Sequence, residues 1–244
     1  MATLAQGAGA QPVLAGQSFF VKLAWILSAV IVFAFAQNAA LGRVDIPRVP
    51  VWVHLHGLAM LVWLGLFVNQ NRLAAAGNFA LHRKLGRVSA FVVCLIVGLT
   101  SFAGVRAVAL HRQPPFFEPA FFLMLTQLGA VCFGGLVLAG IANRRDTETH
   151  RRLMAGATIV LTDAALGRLV PFPLLGGERG EWLTTALMLG IVALIARHDR
   201  RTLGRIHPAT VWVGMVILLA HVVISLAAKA PPVVALAARI AGQG

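Results

Sequence analysis

The stretch Phe19–Leu41, FFVKLAWILSAVIVFAFAQNAAL, carries a single charge, Lys22, in 23 residues. Crossing the hydrocarbon core of a bilayer takes about 20 mostly apolar residues in a helix. The stretch is therefore read as a first crossing. It is too long for the apolar region of a secretory signal, lacks a basic start and shows no convincing cleavage site, so a retained helix is expected.

Six further apolar runs follow, at 51–71, 85–105, 119–142, 151–171, 181–197 and 209–229. The whole chain is 59% hydrophobic and 12% charged, against about 45–50% and about 25% for a soluble domain. That imbalance excludes a soluble enzyme, a disordered regulator and a disulfide scaffold. Pro50, Pro119 and Pro208 fall at expected helix starts, where a missing N–H costs nothing. The expected fold is all-α: an integral membrane bundle of seven transmembrane helices across 19–229. Residues 1–18 are expected to form a flexible N-terminal segment and 230–244 a short C-terminal tail. Cys94 and Cys132 sit within apolar runs and read as small buried hydrophobes.

The net charge of +13 would suggest a nucleic-acid partner in a soluble chain. Here the basic residues cluster between apolar runs without an interleaved aromatic pattern, which points to the lipid bilayer as partner and excludes nucleic acid. Thirteen of the 21 Lys and Arg fall on one side, around 72–87, 144–152 and 197–205 together with Lys22. Cytoplasmic loops are rich in such residues, so the N-terminus is expected inside, the C-terminus outside, and the location the bacterial inner membrane. Trp25, Trp52, Trp182 and Trp212 lie near expected helix ends, as in an aromatic belt. A retinal protein is excluded, because Lys22, Lys84 and Lys229 all lie near helix ends.

Polar groups in hydrocarbon are costly and therefore informative. His56, Asp163 and His221 are expected in the outer half, with Arg168 near the same side; Gln70, His82, His150 and His207 mark the inner edge. His207 and His221 are 14 apart, which leaves them on one helix face roughly 21 Å apart. Two histidine tiers of this kind suit haem iron, each held by neutral imidazoles from two helices. The expected pairs are His56 with His221, and His207 with His82 or His150. Simpler roles stand beside these: His82 and His150 as headgroup anchors or caps, and His207 as the cap before Pro208. Asp163 is expected to accept a hydrogen bond from a facing histidine. As the only acidic residue placed within the interior of a span, it offers no carboxylate pair. The motifs G-x-S-x-G, H-E-x-x-H and the P-loop do not occur.

A weak internal echo joins His82-Arg83-Lys84-Leu85, His150-Arg151-Arg152-Leu153 and Arg205-Ile206-His207-Pro208. The first two, with His54-Leu55-His56-Gly57, Trp63, Gln70, Gly86-Arg87, Met154, Asp163 and Arg168, carry a resemblance over roughly residues 51–215. They resemble a group of uncharacterised bacterial multi-pass membrane proteins with an HR-x-LG-R box followed by an HRR-x-M box. The resemblance implies a helical inner-membrane protein in which His56, His82, His150, Asp163 and Arg168 belong to a shared pattern. A looser likeness to diheme b-type cytochromes rests on His207 and His221. The leading expectation is a membrane-embedded electron-transfer protein holding haem b or meeting a quinone or a redox partner. The alternative is a small-solute permease or an accessory subunit whose histidines and Asp163 bridge helices.

Overall fold

The computed structural model describes residues 11–242. Among these the chain is helical, without strands. The helices are α1 (Gln11–Ala40), α2 (Val51–Ala75), α3 (Phe79–Ala109), α4 (Pro119–Ala142), α5 (Thr147–Leu169), α6 (Phe172–Leu175), α7 (Gly177–Leu203), α8 (Pro208–Ala227) and α9 (Pro231–Ala241). α1 starts at Gln11, so part of the segment expected to be flexible is helical; residues 1–10 lie outside the described residues. The tail forms α9, which packs on α3 and α4 through Ala237 against Val108, Ala120 and Leu123.

Six helices, α1–α4, α7 and α8, are long and apolar enough to cross a membrane. Their outward faces are oily: Phe91 is 71% exposed, Leu226 68% and Leu138 66%. A surface of this kind is stable only against lipid tails or a partner, and the chain is an apolar helical bundle of the multi-pass membrane type.

α5 differs in composition for a physical reason. It packs against α1, α4, α7 and α8 and so is enclosed by protein on several sides. A helix facing protein can carry polar groups where partners satisfy them, and α5 buries Arg152, Thr158 and Thr162 completely. Thr158 and Thr162 donate their hydroxyls to the backbone carbonyls of Met154 and Ile159. Gly156 lets α5 and α8 approach closely: a Cβ there would lie 2.4 Å from a Val213 methyl. Trp63, the tryptophan away from the helix ends, is buried in the core with its ring edge-on to Phe133 at 5.1 Å.

At the end of the bundle where α5 and α8 begin, the charges are satisfied inside the bundle. The Arg152 Nε donates to Asp199 Oδ1 at 3.0 Å, and both side chains are fully buried. Asp199 Oδ2 accepts from Thr210 Oγ1 at 2.6 Å and from the His207 backbone N–H at 3.1 Å. Glu148 also pairs with Arg152, and with Arg151 at 2.6 Å, while Arg151 lies over the Phe20 ring. One network thus ties α1, α5, α7 and α8 together. The neighbouring His207 imidazole is held below its ordinary value by burial and by the Arg152 charge.

Asp146 caps α5, accepting from the Glu148 and Thr149 N–H groups and from the Thr149 hydroxyl. These bonds favour the charged carboxylate and hold it below its ordinary value of 3.8. A depressed carboxyl contributes its stability above the unfolded value and loses it as pH falls through the folded one. Asp146→Ala is expected to cost about 0.5–2 kcal/mol, read by thermal unfolding in detergent. The difference between parent and variant should shrink below pH 4, roughly the ordinary aspartate range.

Candidate functional site

Three ionisable side chains from three helices converge among the apolar residues. Asp163 comes from α5, Glu181 from α7 and His221 from α8; one ligand atom from each lies within 4.8 Å of the other two. Glu181 and His221 are buried at 4% and 6% exposure. This is the group of three or more His, Cys, Asp or Glu able to hold a metal that the described residues contain.

Close helix packing sets the positions. The Gly156–Val213 approach draws α8 onto α5, and about two turns further along lie Asp163 and His221. α7 begins against an aromatic cluster, where Gly180 presses on Phe172; a Cβ at Gly180 would lie 2.4 Å from that ring. Phe172 stacks on Phe116 and meets Phe117 edge-on. The packing places Glu181 one turn inside the bundle.

The hydrogen bonds define what the site presents. Thr184 Oγ1 donates to Asp163 Oδ1 at 2.8 Å, and Thr185 Oγ1 donates to the Glu181 carbonyl at 2.8 Å. His221 Nδ1 lies 3.3 Å from the Ile217 carbonyl and Nε2 lies 3.3 Å from Glu181 Oε2. A carbonyl only accepts, so Nδ1 carries a proton and Nε2 is the atom turned toward the carboxylates. A metal-ligating imidazole is oriented in this way, with its far nitrogen bonded to a backbone carbonyl. With that tautomer neutral, two carboxylates would leave two negative charges in an apolar interior, which is costly unless a cation or protons compensate.

A cavity of about 40 Å³ borders the group, lined by Asp163, His221, Gly129, Cys132, Val160 and Met188 among others. A buried water needs at least about 10–15 Å³, so the space suits one or two water molecules. Cys132 also lines a larger groove of about 480 Å³ between α4, α5 and α8, whose walls include Leu136, Asn143, Thr149, Leu153 and Trp212. Cavity and groove follow the same helix seam, one beyond the other.

Of the residues singled out from sequence, the structure joins Asp163 with His221 and, separately, His82 with His150, whose ring centres are 6.3 Å apart. His207 caps α8, its Nδ1 accepting from the Ala209 N–H at 3.2 Å. His221 is engaged by Glu181 rather than by His56, whose buried Nδ1 has no hydrogen-bond partner. Arg168 turns toward α1: its guanidinium stacks over Phe35 at 3.8 Å and donates to the Ala164 carbonyl.

Glu181 and Thr184 are the residues of the candidate site that sequence reasoning missed, and Asp163 does have a carboxylate neighbour. The available signal was Glu181-x-x-Thr184, which puts an acid and a hydroxyl one turn apart at the start of an apolar run. No family model, curated protein or solved structure matches the chain.

Proposed function

We propose that this is a seven-span inner-membrane protein whose working centre, Asp163–Glu181–His221, binds a divalent transition-metal ion as its cofactor. The observation that carries the reading is the convergence of two carboxylates and one oriented imidazole within 4.8 Å. A mixed nitrogen and oxygen donor set suits Zn²⁺, Fe²⁺ or Mn²⁺ better than soft Cu⁺. A divalent ion would neutralise the two carboxylates, and water in the adjoining cavity would complete its coordination. Three protein ligands with a place for water is the pattern of a reactive rather than a purely structural zinc site.

α5 supplies the seventh crossing in this reading. Its 23 residues span about 35 Å, and its place among α1, α4, α7 and α8 supports a shielded transmembrane helix. The N-terminus would then lie inside and the C-terminus outside, which reporter fusions at the two ends test directly.

The full-length protein, stripped of metal in mild detergent, is expected to take up Zn²⁺ or Mn²⁺, with one equivalent held at this centre. Glu181→Gln should weaken that uptake by more than the ~10–100-fold that losing an outer hydrogen bond brings. Folded protein that binds neither ion, or binds both equally well in Glu181→Gln and Asp163→Asn, would contradict the proposal.

A second reading is favoured by the shared lining of groove and cavity at Cys132. In it the groove admits a quinone, whose head group exchanges protons with the same three side chains in electron transfer. Quinone that co-purifies, and is lost in Cys132→Trp with metal uptake intact, would select this version.

A further inference from the structure

We propose a second metal site, independent of the first, at the inner edge of the bundle: His82 and His150 together hold a transition-metal centre through their Nε2 atoms. The argument begins with the two helix hairpins that supply them. Asn78 caps α3 and Asp146 caps α5, each with its side chain. Four residues after each cap comes a histidine followed by an arginine: His82-Arg83 and His150-Arg151. Each imidazole then makes the same contact within its own hairpin. His82 Nδ1 lies 3.3 Å from the carbonyl of Gln70, at the end of α2, and His150 Nδ1 lies 2.7 Å from that of Gly140, at the end of α4. Gln70 returns a bond from its side-chain Nε2 to the His82 carbonyl at 3.0 Å. The sequence echo is thus one device built twice. The third member departs from it, because His207 is itself a cap.

Two such devices could each simply staple a hairpin. Their placement against each other says more. The two rings come from different hairpins and stand 6.3 Å apart at 78°. Both Nδ1 atoms face carbonyl oxygens and so carry the protons, which leaves both Nε2 atoms as bare acceptors. Two bare acceptors gain nothing from each other, whereas a metal satisfies both. With metal–nitrogen bonds of about 2.0–2.1 Å plus the ring radius, opposed imidazoles on one ion have ring centres roughly 6 Å apart. The observed ring-centre spacing is that of two imidazoles sharing one ion. Both rings are half-buried, so the site is reachable from the inner surface. The Gln70 Oε1, buried without a hydrogen-bond partner, is a further donor atom carried by the residue that anchors His82.

The shared chemistry is bis-imidazole ligation of a transition metal, and its source is either a free ion or a haem iron. The test uses full-length protein carrying Glu181→Gln, so that uptake at the outer centre is suppressed and the two sites fail independently. Stripped protein is titrated with Zn²⁺, with Cu²⁺ and with hemin in separate arms. One arm is expected to saturate at one equivalent, and a Soret band in the hemin arm identifies haem. His82→Gln and His150→Gln keep an amide donor for the anchoring carbonyl but remove the ligand; each should weaken uptake at least tenfold with an unchanged melting temperature. If one of them does not fold, the other decides. Saturation that ignores both substitutions, or no binding above a detergent blank in any arm, overturns the proposal.

Discussion

Arg152→Ala should be among the most damaging single changes in the bundle, at about 3–5 kcal/mol. Arg152 and Asp199 are both fully buried, and Asp199 also holds Thr210 and the His207 N–H. Removing the guanidinium leaves a carboxylate without its counter-charge where water does not reach, and that uncompensated charge dominates the loss. The cost therefore depends on which partner remains. Arg152→Met combined with Asp199→Leu removes both charges and should recover much of the stability, because the pair's attraction largely offsets its desolvation. Unfolding in mixed micelles measures the cycle. A double variant as unstable as Arg152→Ala would show that the pair's worth lies elsewhere.

Gly156→Val should disrupt the proposed Asp163–Glu181–His221 centre from a distance. A Cβ at position 156 would sit 2.4 Å from a Val213 side-chain carbon, so α8 must move away from α5. Overpacking of this kind costs about 1–3 kcal/mol. The larger effect is on geometry, because α8 carries His221 and α5 carries Asp163. Metal uptake at that centre should fall at least as far as in Glu181→Gln, although no ligand is altered. Gly156→Val with Val213→Ala restores room for the helices and should recover uptake. If the single variant binds metal normally, the contact does not position the site.

These effects also show what the sequence made legible. Six helices long and apolar enough to cross follow from composition, which is a local property and visible without coordinates. α5 reads in the sequence as a seventh apolar run, but its polar content makes sense only once its neighbours are known. Arg152 reads in sequence as one of a cluster of loop charges marking the inner side, yet it is fully buried against Asp199. Counting charges records identity and not pairing.

The candidate site was half legible for the same reason. Asp163 and His221 stood out as costly residues within apolar runs. Glu181 did not, because Gly176-Gly177-Glu178-Arg179-Gly180 before it reads as a polar turn. In the structure α7 already begins at Gly177, and the glycines bring its first turn down onto Phe116 and Phe172. The 14-residue interval suggests one face for His207 and His221, but His207 is spent on capping α8. Pairing of His82 with His150 depends on how two hairpins meet, which spacing along the chain does not encode.

X-ray absorption at the metal edge of the loaded full-length protein carrying His82→Gln and His150→Gln asks most directly whether the Asp163–Glu181–His221 centre is what it is proposed to be. The account predicts a light-atom shell of one imidazole and carboxylate oxygens, with the imidazole signature absent when His221→Ala is added. A sulfur shell, or a spectrum that keeps its imidazole signature in that variant while His82 and His150 are both replaced by Gln, would contradict it.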